Sequence, residues 1–291
     1  MYIPEKLLEK KILRFLEEDV GQGDITTLLT IPRGVVVQAE VVVREKGVVA
    51  GLEDISAFLE GLGFQADASV SDGSEIRKDT TIMTITGDAR TLLSVERTLL
   101  NLLTRMSGIA TQIRRVVAKV HDAGYKPKIA CTRKVAPGLL HFDKKAVMLG
   151  GGDTHRLHLD DLVLIKDNHL AIIGDVGKAV QRARKAVSFS KKIEVEVSSK
   201  KDALQAVEAG ADIIMLDNLP PPRIRSIIFA LEKKGLRDHA LVEASGGINE
   251  ENVVEYAATG ADILSLGEIT DSTKALDMSL GVAKVIRTRT A

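Results

Sequence analysis

Hydrophobic positions follow two different periods in the first third of the chain. Near the N-terminus, apolar side chains recur at helical spacing, at Leu7, Leu8, Ile12, Phe15 and Leu16. This spacing predicts a helix. From position 35 to position 43 every second residue is Val or Ala, as in a half-buried strand. A second strand is predicted over Thr80–Thr86 and a long helix from about Arg90 past Gln112, so this part is predicted to be an α/β sandwich.

From about Pro127 the pattern changes to short apolar segments separated by amphipathic ones. This alternation predicts parallel strands joined by helices, closed or nearly closed as a β/α barrel. The predicted strands are Lys128–Thr132, Leu162–Lys166, Ile193–Val197, Ile213–Asp217, Leu241–Ser245 and Ile263–Leu266. The junctions at 209–213 and 259–263 both contain Gly-Ala-Asp-Ile, which indicates equivalent βα units.

Composition narrows the classes of protein and partner. Lys plus Arg equals Asp plus Glu, at 40 each, and the chain has no Trp and three Tyr. Without a positive field or stacking residues, we expect no nucleic-acid partner. Cys131 is the single cysteine, so an internal disulfide is excluded. Residues 1–19 lack the apolar core of a signal peptide and no apolar run reaches 18 residues, which predicts a cytoplasmic protein without a membrane partner.

The ends of the predicted barrel strands carry most of the candidate chemistry, because barrel active sites form at the carboxyl ends of the strands. Five cations lie at or near the first two ends, and they are Arg133, Lys134, His155, Arg156 and Lys166. A single Lys or Arg there would ordinarily be a solvated surface residue. Five together favour a small ligand with several carboxylates or phosphates, since Arg binds carboxylates through two hydrogen bonds and Lys adds a point charge.

Carboxylates mark the next two strand ends. Glu194 and Glu196 share one face of a strand, and Asp217 ends the following strand. Beside a phosphate-bearing ligand, such carboxylates favour a Mg²⁺ site. The alternative is an ion pair with a barrel Lys or Arg. We favour Glu196 and Asp217 for Mg²⁺, direct or indirect, and a structural role for Glu194.

Two glycine-containing turns follow the last two predicted strands. They are Ser245-Gly246-Gly247 and Ser265-Leu266-Gly267. Barrel enzymes often bind phosphate at this position through exposed backbone N–H groups. Glycine is also the ordinary loop residue, so the position in the barrel carries the prediction.

Three other features are weaker. His155, His158 and His169 could suggest a metal, but Arg156 between the first two would repel a cation. Cys131, inside a predicted strand, is better explained by packing. Arg97 lies on the long helix, on one face with Asn101, Arg105 and Gly108. That face is either solvated or directed, through Arg97, into the site of another subunit.

The motifs together resemble the quinolinate phosphoribosyltransferase family, the carboxylating nicotinate-nucleotide pyrophosphorylases. The segments that carry the resemblance are 131–139 (CTRKVAPGL), 150–156 (GGGDTHR), 164–169 (LIKDNH), 194–196 (EVE), 215–218 (MLDN), 243–247 (EASGG), 96–97 (ER) and 107–111 (SGIAT). They occur in the family's order along nearly the whole chain. Cys131, Val135, Leu140 and Thr154 depart from the commonest residues of the family and leave substrate choice to be tested.

This resemblance implies a fold and a reaction. The fold would be an α/β sandwich of residues 1–113, to which 273–291 return, and an open, roughly seven-stranded β/α barrel of 114–272. The chain would be a homo-oligomeric glycosyltransferase, at least a dimer, that moves phosphoribosyl from phosphoribosyl pyrophosphate to quinolinate in NAD biosynthesis, with Mg²⁺.

The resemblance also implies residue roles. The quinolinate ligands would be Arg133, His155, Arg156 and Lys166, with Arg97 from a partner subunit. The groups that hold phosphoribosyl pyrophosphate and Mg²⁺ would be Lys134, Glu196, Asp217 and the turns 245–247 and 265–267, and the first three would be catalytic. Three alternatives stay open: a paralogue that uses nicotinate, an anion-binding module without catalysis, and a different barrel enzyme.

Overall fold

The computed structural model describes residues 3–287, which form two compact units. Unit 1 comprises residues 3–112, 136–151 and 273–287, and unit 2 comprises residues 113–135 and 152–272. The predicted domain bounds also include residues 1–2 and 288–291, which lie outside the described residues.

Helices and strands alternate along the chain. Up to residue 122 they are α1 (Glu5–Val20), α2 (Ile25–Thr30), β1 (Val36–Val43), β2 (Gly47–Val48), α3 (Leu52–Gly61), β3 (Gln65–Ala68), β4 (Glu75–Ile76), β5 (Thr80–Asp88) and α4 (Ala89–Asp122). Thereafter they are β6 (Lys128–Cys131), α5 (Leu140–Gly150), β7 (Val163–Ile165), α6 (Asp167–Ile173), α7 (Val176–Ala186), β8 (Ile193–Val197), α8 (Lys200–Glu208), β9 (Ile213–Asp217), α9 (Pro221–Lys233), β10 (Leu241–Ser245), α10 (Val253–Ala257), β11 (Ile263–Leu266), α11 (Glu268–Asp271) and β12 (Met278–Arg287). None of the helices within residues 3–287 has the length and apolar character needed to cross a membrane.

Unit 1 contains an antiparallel sheet with the strand order β12-β1-β5-β3. Its strand β1 buries every second side chain, namely Val37, Ala39, Val41 and Val43, as the alternation predicted. β12, from the C-terminal part of the chain, pairs with the whole of β1. The sheet and the helices of this unit match the predicted α/β sandwich.

Helix α5 groups with unit 1, although the sequence placed it within the barrel domain. The reason is a set of buried charges that pair with unit 1. Arg105 donates two hydrogen bonds of 2.8 Å to the fully buried Asp143, and Lys145 Nζ donates one of 2.8 Å to Asp54. A helix rich in charge is usually solvated, so the local pattern gave no sign that these side chains would be buried.

Unit 2 is built on six parallel strands in the order β6-β11-β10-β9-β8-β7. β8, β9, β10 and β11 have the predicted bounds, whereas β6 and β7 are shorter. A seventh position in the sheet is a single parallel bridge between Ala130 and Asp153. Within residues 3–287 no strand pairing joins Asp153 to β7, so the barrel is open, as predicted.

The repeated Gly-Ala-Asp-Ile junctions have the same structure in both places. Gly210 and Gly260 adopt left-handed backbone conformations, with φ of 93° and 86°. The following aspartates each accept a backbone N–H from the strand before the junction: Asp212 from Ile193 at 2.6 Å and Asp262 from Val242 at 2.7 Å. The two junctions therefore fix the starts of neighbouring strands in the same way.

We predict that Gly260→Ala destabilises the protein by about 1–2 kcal/mol, because a residue with a Cβ is strained at this φ. The nearest atom to such a Cβ is 3.9 Å away, so no collision adds to the strain. The free energy of unfolding in urea measures the effect. Gly61→Ala is the matched control, since Gly61 lies in a helix with open space around it and without positive φ. Equal stability of the two variants would contradict the prediction.

Candidate active site

A cavity of about 1220 Å³ lies at the carboxyl ends of the strands of unit 2. The predicted site residues that line it are Arg133, Lys134, His155, Arg156, Lys166, Glu196, Asp217, Ser245, Gly246, Gly247, Ser265 and Gly267. Parallel strands bring these segments to one edge of the sheet, although they are far apart in the sequence. The volume exceeds the usual range for one small ligand, roughly 300–1,000 Å³, and so suits two substrates together.

The predicted cations converge on this cavity, and three of them make no ion pair with any residue from 3 to 287. These three are Arg133, Lys134 and Arg156. Burial and the nearby positive charge of Arg133 lower the pKa of Arg156, partly offset by Glu194. Two guanidinium groups held close together without a shared carboxylate favour a ligand with more than one negative charge.

Lys166 and Glu196, predicted to contact different ligands, are paired with each other. Lys166 Nζ lies 2.8 Å from Glu196 Oε2, and the lysine side chain is 45% exposed. The glutamate side chain is only 13% exposed, so the pair is partly buried and opens only when a ligand supplies other partners for both groups.

Asp217 ends β9 at the cavity and accepts a hydrogen bond from the Asn218 side-chain amide. Asn218 has a φ of 53°, and a Cβ at Gly246 would collide with its amide. Glycine is thus required at position 246 for the two strand ends to approach each other. Glu196 and Asp217 supply the oxygen atoms that Mg²⁺ prefers.

The two glycine turns differ in what they present to the cavity. Gly246 and Gly247 both have positive φ and line the cavity. Ser265 Oγ is buried and has no hydrogen-bond partner within residues 3–287. Leu266, also predicted as a ligand-binding residue, is fully buried and does not line the cavity, because neighbouring side chains on a strand point to opposite faces.

Lys134 is held from two sides by the end of β11 and the helix after it. Thr270, on α11, donates its hydroxyl to the Lys134 carbonyl at 2.7 Å. A Cβ at Gly267 would lie 3.2 Å from Lys134 Cδ, so the lysine side chain passes over this glycine. Sequence analysis missed Thr270, because nothing in the local pattern connects it to Lys134.

His155 contacts two glutamates that are fully buried. Its Nε2 lies 3.1 Å from Glu243 Oε2 and 3.4 Å from Glu194 Oε2. The sequence analysis includes Glu243 only as part of the EASGG segment and assigns it no role. The available signal was its place on the same strand face as Ser245, which resembles that of Glu194 relative to Glu196.

The charge state of His155 depends on opposing effects. Burial lowers the pKa of the ring, and the Arg156 N–H, 2.7 Å from Nδ1, favours a neutral ring that can accept it. Glu194 and Glu243 act in the other direction. Hydrogen bonds to charged groups contribute about 1.5–3 kcal/mol against about 1 kcal/mol for neutral ones. The carboxylates prevail and raise the pKa of His155 to about 10.

Among the described residues, two groups of possible metal ligands include a histidine named in the sequence analysis: His155 with Glu194 and Glu243, and His158 with Asp160 and Asp161. His155, Glu194 and Glu243 have ligand atoms within 4.8 Å of one another, but the charge of Arg156 acts on Glu194 and opposes a cation there. His169 Nδ1 accepts the Lys166 N–H at 2.9 Å and caps α6. Cys131 is buried in β6, as the packing interpretation predicted.

Arg97 lies in unit 1, on α4, where its side chain is exposed. No hydrogen bond or ion pair connects it to another residue in the described part of the chain. Arg105, on the same predicted face, is instead bound to Asp143. The predicted stripe is therefore not uniform: Arg105 is structural and Arg97 is free to bind a ligand or another chain.

Comparison with known proteins agrees with this geometry. Residues 24–107 match the family model described as quinolinate phosphoribosyl transferase, N-terminal domain, and residues 109–281 match the C-terminal domain. A probable nicotinate-nucleotide pyrophosphorylase (carboxylating) of Methanothermobacter thermautotrophicus is 47% identical over 271 residues, 93% of this chain and 97% of the relative. The nicotinate-nucleotide pyrophosphorylase (carboxylating) of Mycobacterium leprae is 40% identical, over 92% of this chain and 95% of the relative.

A solved structure extends the similarity to three dimensions. The nicotinate-nucleotide pyrophosphorylase of Francisella tularensis superposes with a TM-score of 0.87 at 34% identity, over 97% of this chain and 98% of that one. Both units thus have counterparts in a single known architecture. With both of its domains matched in sequence, the chain belongs to the quinolinate phosphoribosyl transferase family.

Proposed function

We propose that the cavity of unit 2 transfers the phosphoribosyl group of phosphoribosyl pyrophosphate to quinolinate. The products are nicotinate mononucleotide, pyrophosphate and CO₂, in NAD biosynthesis. The observation that carries this proposal is the convergence of five cations on one cavity that also holds two carboxylates and two glycine turns. The names of the relatives, carboxylating nicotinate-nucleotide pyrophosphorylases, support the same reaction.

Quinolinate is assigned to the cation side of the cavity. Arg133 and Arg156 are unpaired cations that suit its two carboxylates, and Lys166 becomes available when it leaves Glu196. His155 completes this set as a charged ring. Planar guanidinium groups bind carboxylates in a fixed orientation, so the same contacts would direct the pyridine nitrogen toward the sugar.

Phosphoribosyl pyrophosphate is assigned to the opposite side, near the last two strands. The turns 245–247 and 265–267 offer backbone N–H groups and the unsatisfied Ser265 hydroxyl to phosphate oxygens. Lys134 adds a positive charge above Gly267. Glu196 and Asp217 would hold Mg²⁺, which when bound offsets the charge of the pyrophosphate.

The reaction requires mainly positioning and electrostatic stabilisation from this chain. Lys134 stabilises the leaving pyrophosphate while the carbon–oxygen bond to the ribose breaks. Glu196 and Asp217 stabilise the positive charge that develops on the sugar. The pyridine nitrogen then bonds to that carbon. Once that nitrogen is quaternary, its positive charge stabilises the electron pair that stays on the adjacent ring carbon when the carboxylate departs as CO₂. That carbon then takes a proton from water, so no general acid is obligatory for the loss of CO₂.

The oligomeric state and the cellular location of the protein are also proposed. We infer a homo-oligomer, at least a dimer, because Arg97 is exposed and unpaired on a helix of unit 1. A cytoplasmic location is supported by the single cysteine. The residues that line the cavity give no indication of a nucleic-acid or membrane partner.

The proposal predicts strong preference for the diacid over nicotinate. Nicotinate would leave cations of the site without the second carboxylate. Hydrogen bonds to charged groups contribute about 1.5–3 kcal/mol each, so kcat/KM should fall by roughly 10²- to 10⁴-fold when two such bonds are lost. Product and CO₂ are measured with each acid in the presence of phosphoribosyl pyrophosphate and Mg²⁺. Arg133→Ala should narrow the gap, whereas Arg225→Ala, on the exposed face of α9, should not. Equal kcat/KM for the two acids would favour the nicotinate-using alternative.

A second prediction concerns the metal. Asp217→Asn should lower kcat at least about tenfold and raise the Mg²⁺ concentration needed for half-maximal rate, because one anionic oxygen ligand is lost. The affinity for quinolinate, measured by calorimetry, should change little. Asp238→Asn is the control, since Asp238 is exposed and outside the cavity. An unchanged Mg²⁺ dependence would remove Asp217 from the metal site.

The third prediction tests shared active sites. Mixed dimers of Arg97→Ala and Lys134→Ala chains should contain one complete site each, so a 1:1 mixture should recover about one quarter of the unmodified activity. Mixing Lys134→Ala with Asp217→Asn chains is the matched control, because both residues belong to unit 2 and no complete site can form. Confirmed mixed dimers without recovery in the first mixture would contradict the sharing of Arg97.

A further inference from the structure

Two fully buried carboxylates below the cation cluster have no part in the reaction described above. Glu194 and Glu243 both have 0% exposure. Burying a carboxylate costs several kcal/mol unless charged or hydrogen-bonding partners offset that cost. Apolar residues of similar size would fill the barrel interior at lower cost. The presence of two such carboxylates at one point therefore requires a local reason.

Both carboxylates are carried by strands and are aimed at the same ring nitrogen. Glu243 lies in the middle of β10, paired in register with Met215 on β9 and Ile263 on β11. Glu194 lies on β8, paired with Leu164 and Ile213. Strand positions within a sheet are rigid, so the distances of 3.1 Å and 3.4 Å to His155 Nε2 are set by the barrel itself.

His155, in contrast, lies on a loop and in a strained conformation. It follows the single bridge at Asp153, and its φ is 52°, in the left-handed region that a residue with a Cβ rarely adopts. Such conformations persist when surrounding contacts over-determine them. Here the contacts are Asp153, which accepts the His155 N–H at 2.8 Å, and the two glutamates.

The His155 ring also lies close to the backbone of the next residue, Arg156. Its Nδ1 lies 2.7 Å from the backbone nitrogen of Arg156. Because residues 155 and 156 share a peptide bond, the contacts that hold the His155 ring to Glu243 also restrain the backbone of Arg156. Arg156 is one of the unpaired cations of the cavity. Lys134, Asp217 and the glycine turns take no part in the contacts that connect Glu243, His155 and Arg156.

We propose that Glu243, assisted by Glu194, is a positioning residue that fixes His155 and, through it, Arg156 for the carboxylates of the acceptor. The proposal rests on the assignment of His155 and Arg156 to quinolinate under the proposed function. In this proposal Glu194 and Glu243 support the binding of quinolinate and have no role in the transfer of the phosphoribosyl group. A purely structural pair would instead affect both substrates and the stability of the fold alike.

The first test is the division of a kinetic effect between the two substrates. Glu243→Gln keeps the size of the side chain and an acceptor oxygen but removes its charge. It should raise KM for quinolinate about tenfold or more, as is usual when a supporting partner of a binding group is lost, and change KM for phosphoribosyl pyrophosphate less than about twofold. Glu194→Gln should act in the same direction but more weakly, since its contact is longer. Glu255→Gln, on the exposed face of α10, is the control.

A double-mutant cycle separates positioning from general damage. If Glu243 acts through His155, then Glu243→Gln should change the quinolinate KM of the His155→Ala variant less than about twofold. Independent losses that multiply would overturn the proposal, as would equal increases in KM for both substrates. If Glu243→Gln does not fold, Glu243→Asp replaces it, because shortening the side chain withdraws the carboxylate from the ring and should give the same selective rise.

A ligand-free measurement keeps this proposal distinct from the proposed function. The chain has six histidines, and His155→Ala identifies the ring signals of His155 in a ¹⁵N-histidine-labelled NMR spectrum. These signals should move in Glu243→Gln and stay in place in Glu255→Gln. Unmoved signals would overturn the positioning role whatever the activity. An unmodified protein without turnover would contradict the proposed function, while the ring signals would still decide whether Glu243 fixes His155.

Discussion

The parallel register of the six strands in unit 2 is the constraint on which the site depends. Because the strands run in one direction, their carboxyl ends meet at one edge and side chains at equivalent positions form layers. Glu196, Met215 and Glu243 are register neighbours in one layer, and Asp217, Ser245 and Ser265 form the next. Each strand end contributes one or two polar groups to the cavity. Regular parallel strands are sufficient to bring these groups together.

The charged groups of the site differ in how deeply they are buried. The carboxylates of Glu194 and Glu243 are fully buried, whereas Arg133 and Lys134 are exposed at the cavity. Burial raises the pKa of Glu194, whereas His155 and Arg156 act to lower it, and the charge of Glu194 in turn favours the charged form of Arg156.

The sequence predicted those features that depend on local pattern. Four barrel strands have the predicted bounds because each is a short run rich in apolar residues, and two of them, β9 and β11, begin directly after a Gly-Ala-Asp junction. The pattern could not predict pairings between distant segments, such as His155 with Glu243, 88 residues apart, or Lys145 of α5 with Asp54, 91 residues apart. Burial of a charged residue depends on such partners, so the local pattern gives no sign that α5 groups with unit 1.

The pairing of Lys166 with Glu196 connects the two ends of the cavity. One partner is assigned to the acceptor and the other to the donor and its Mg²⁺, yet in the structure they lie 2.8 Å apart. When an acceptor carboxylate takes Lys166, Glu196 loses its counter-charge and its affinity for a cation increases. Because binding free energies are reciprocal, a cation at Glu196 must equally favour the release of Lys166 to the acceptor. Because the glutamate side chain is only 13% exposed, its charge needs a partner in either state, and a cation that replaces Lys166 supplies one.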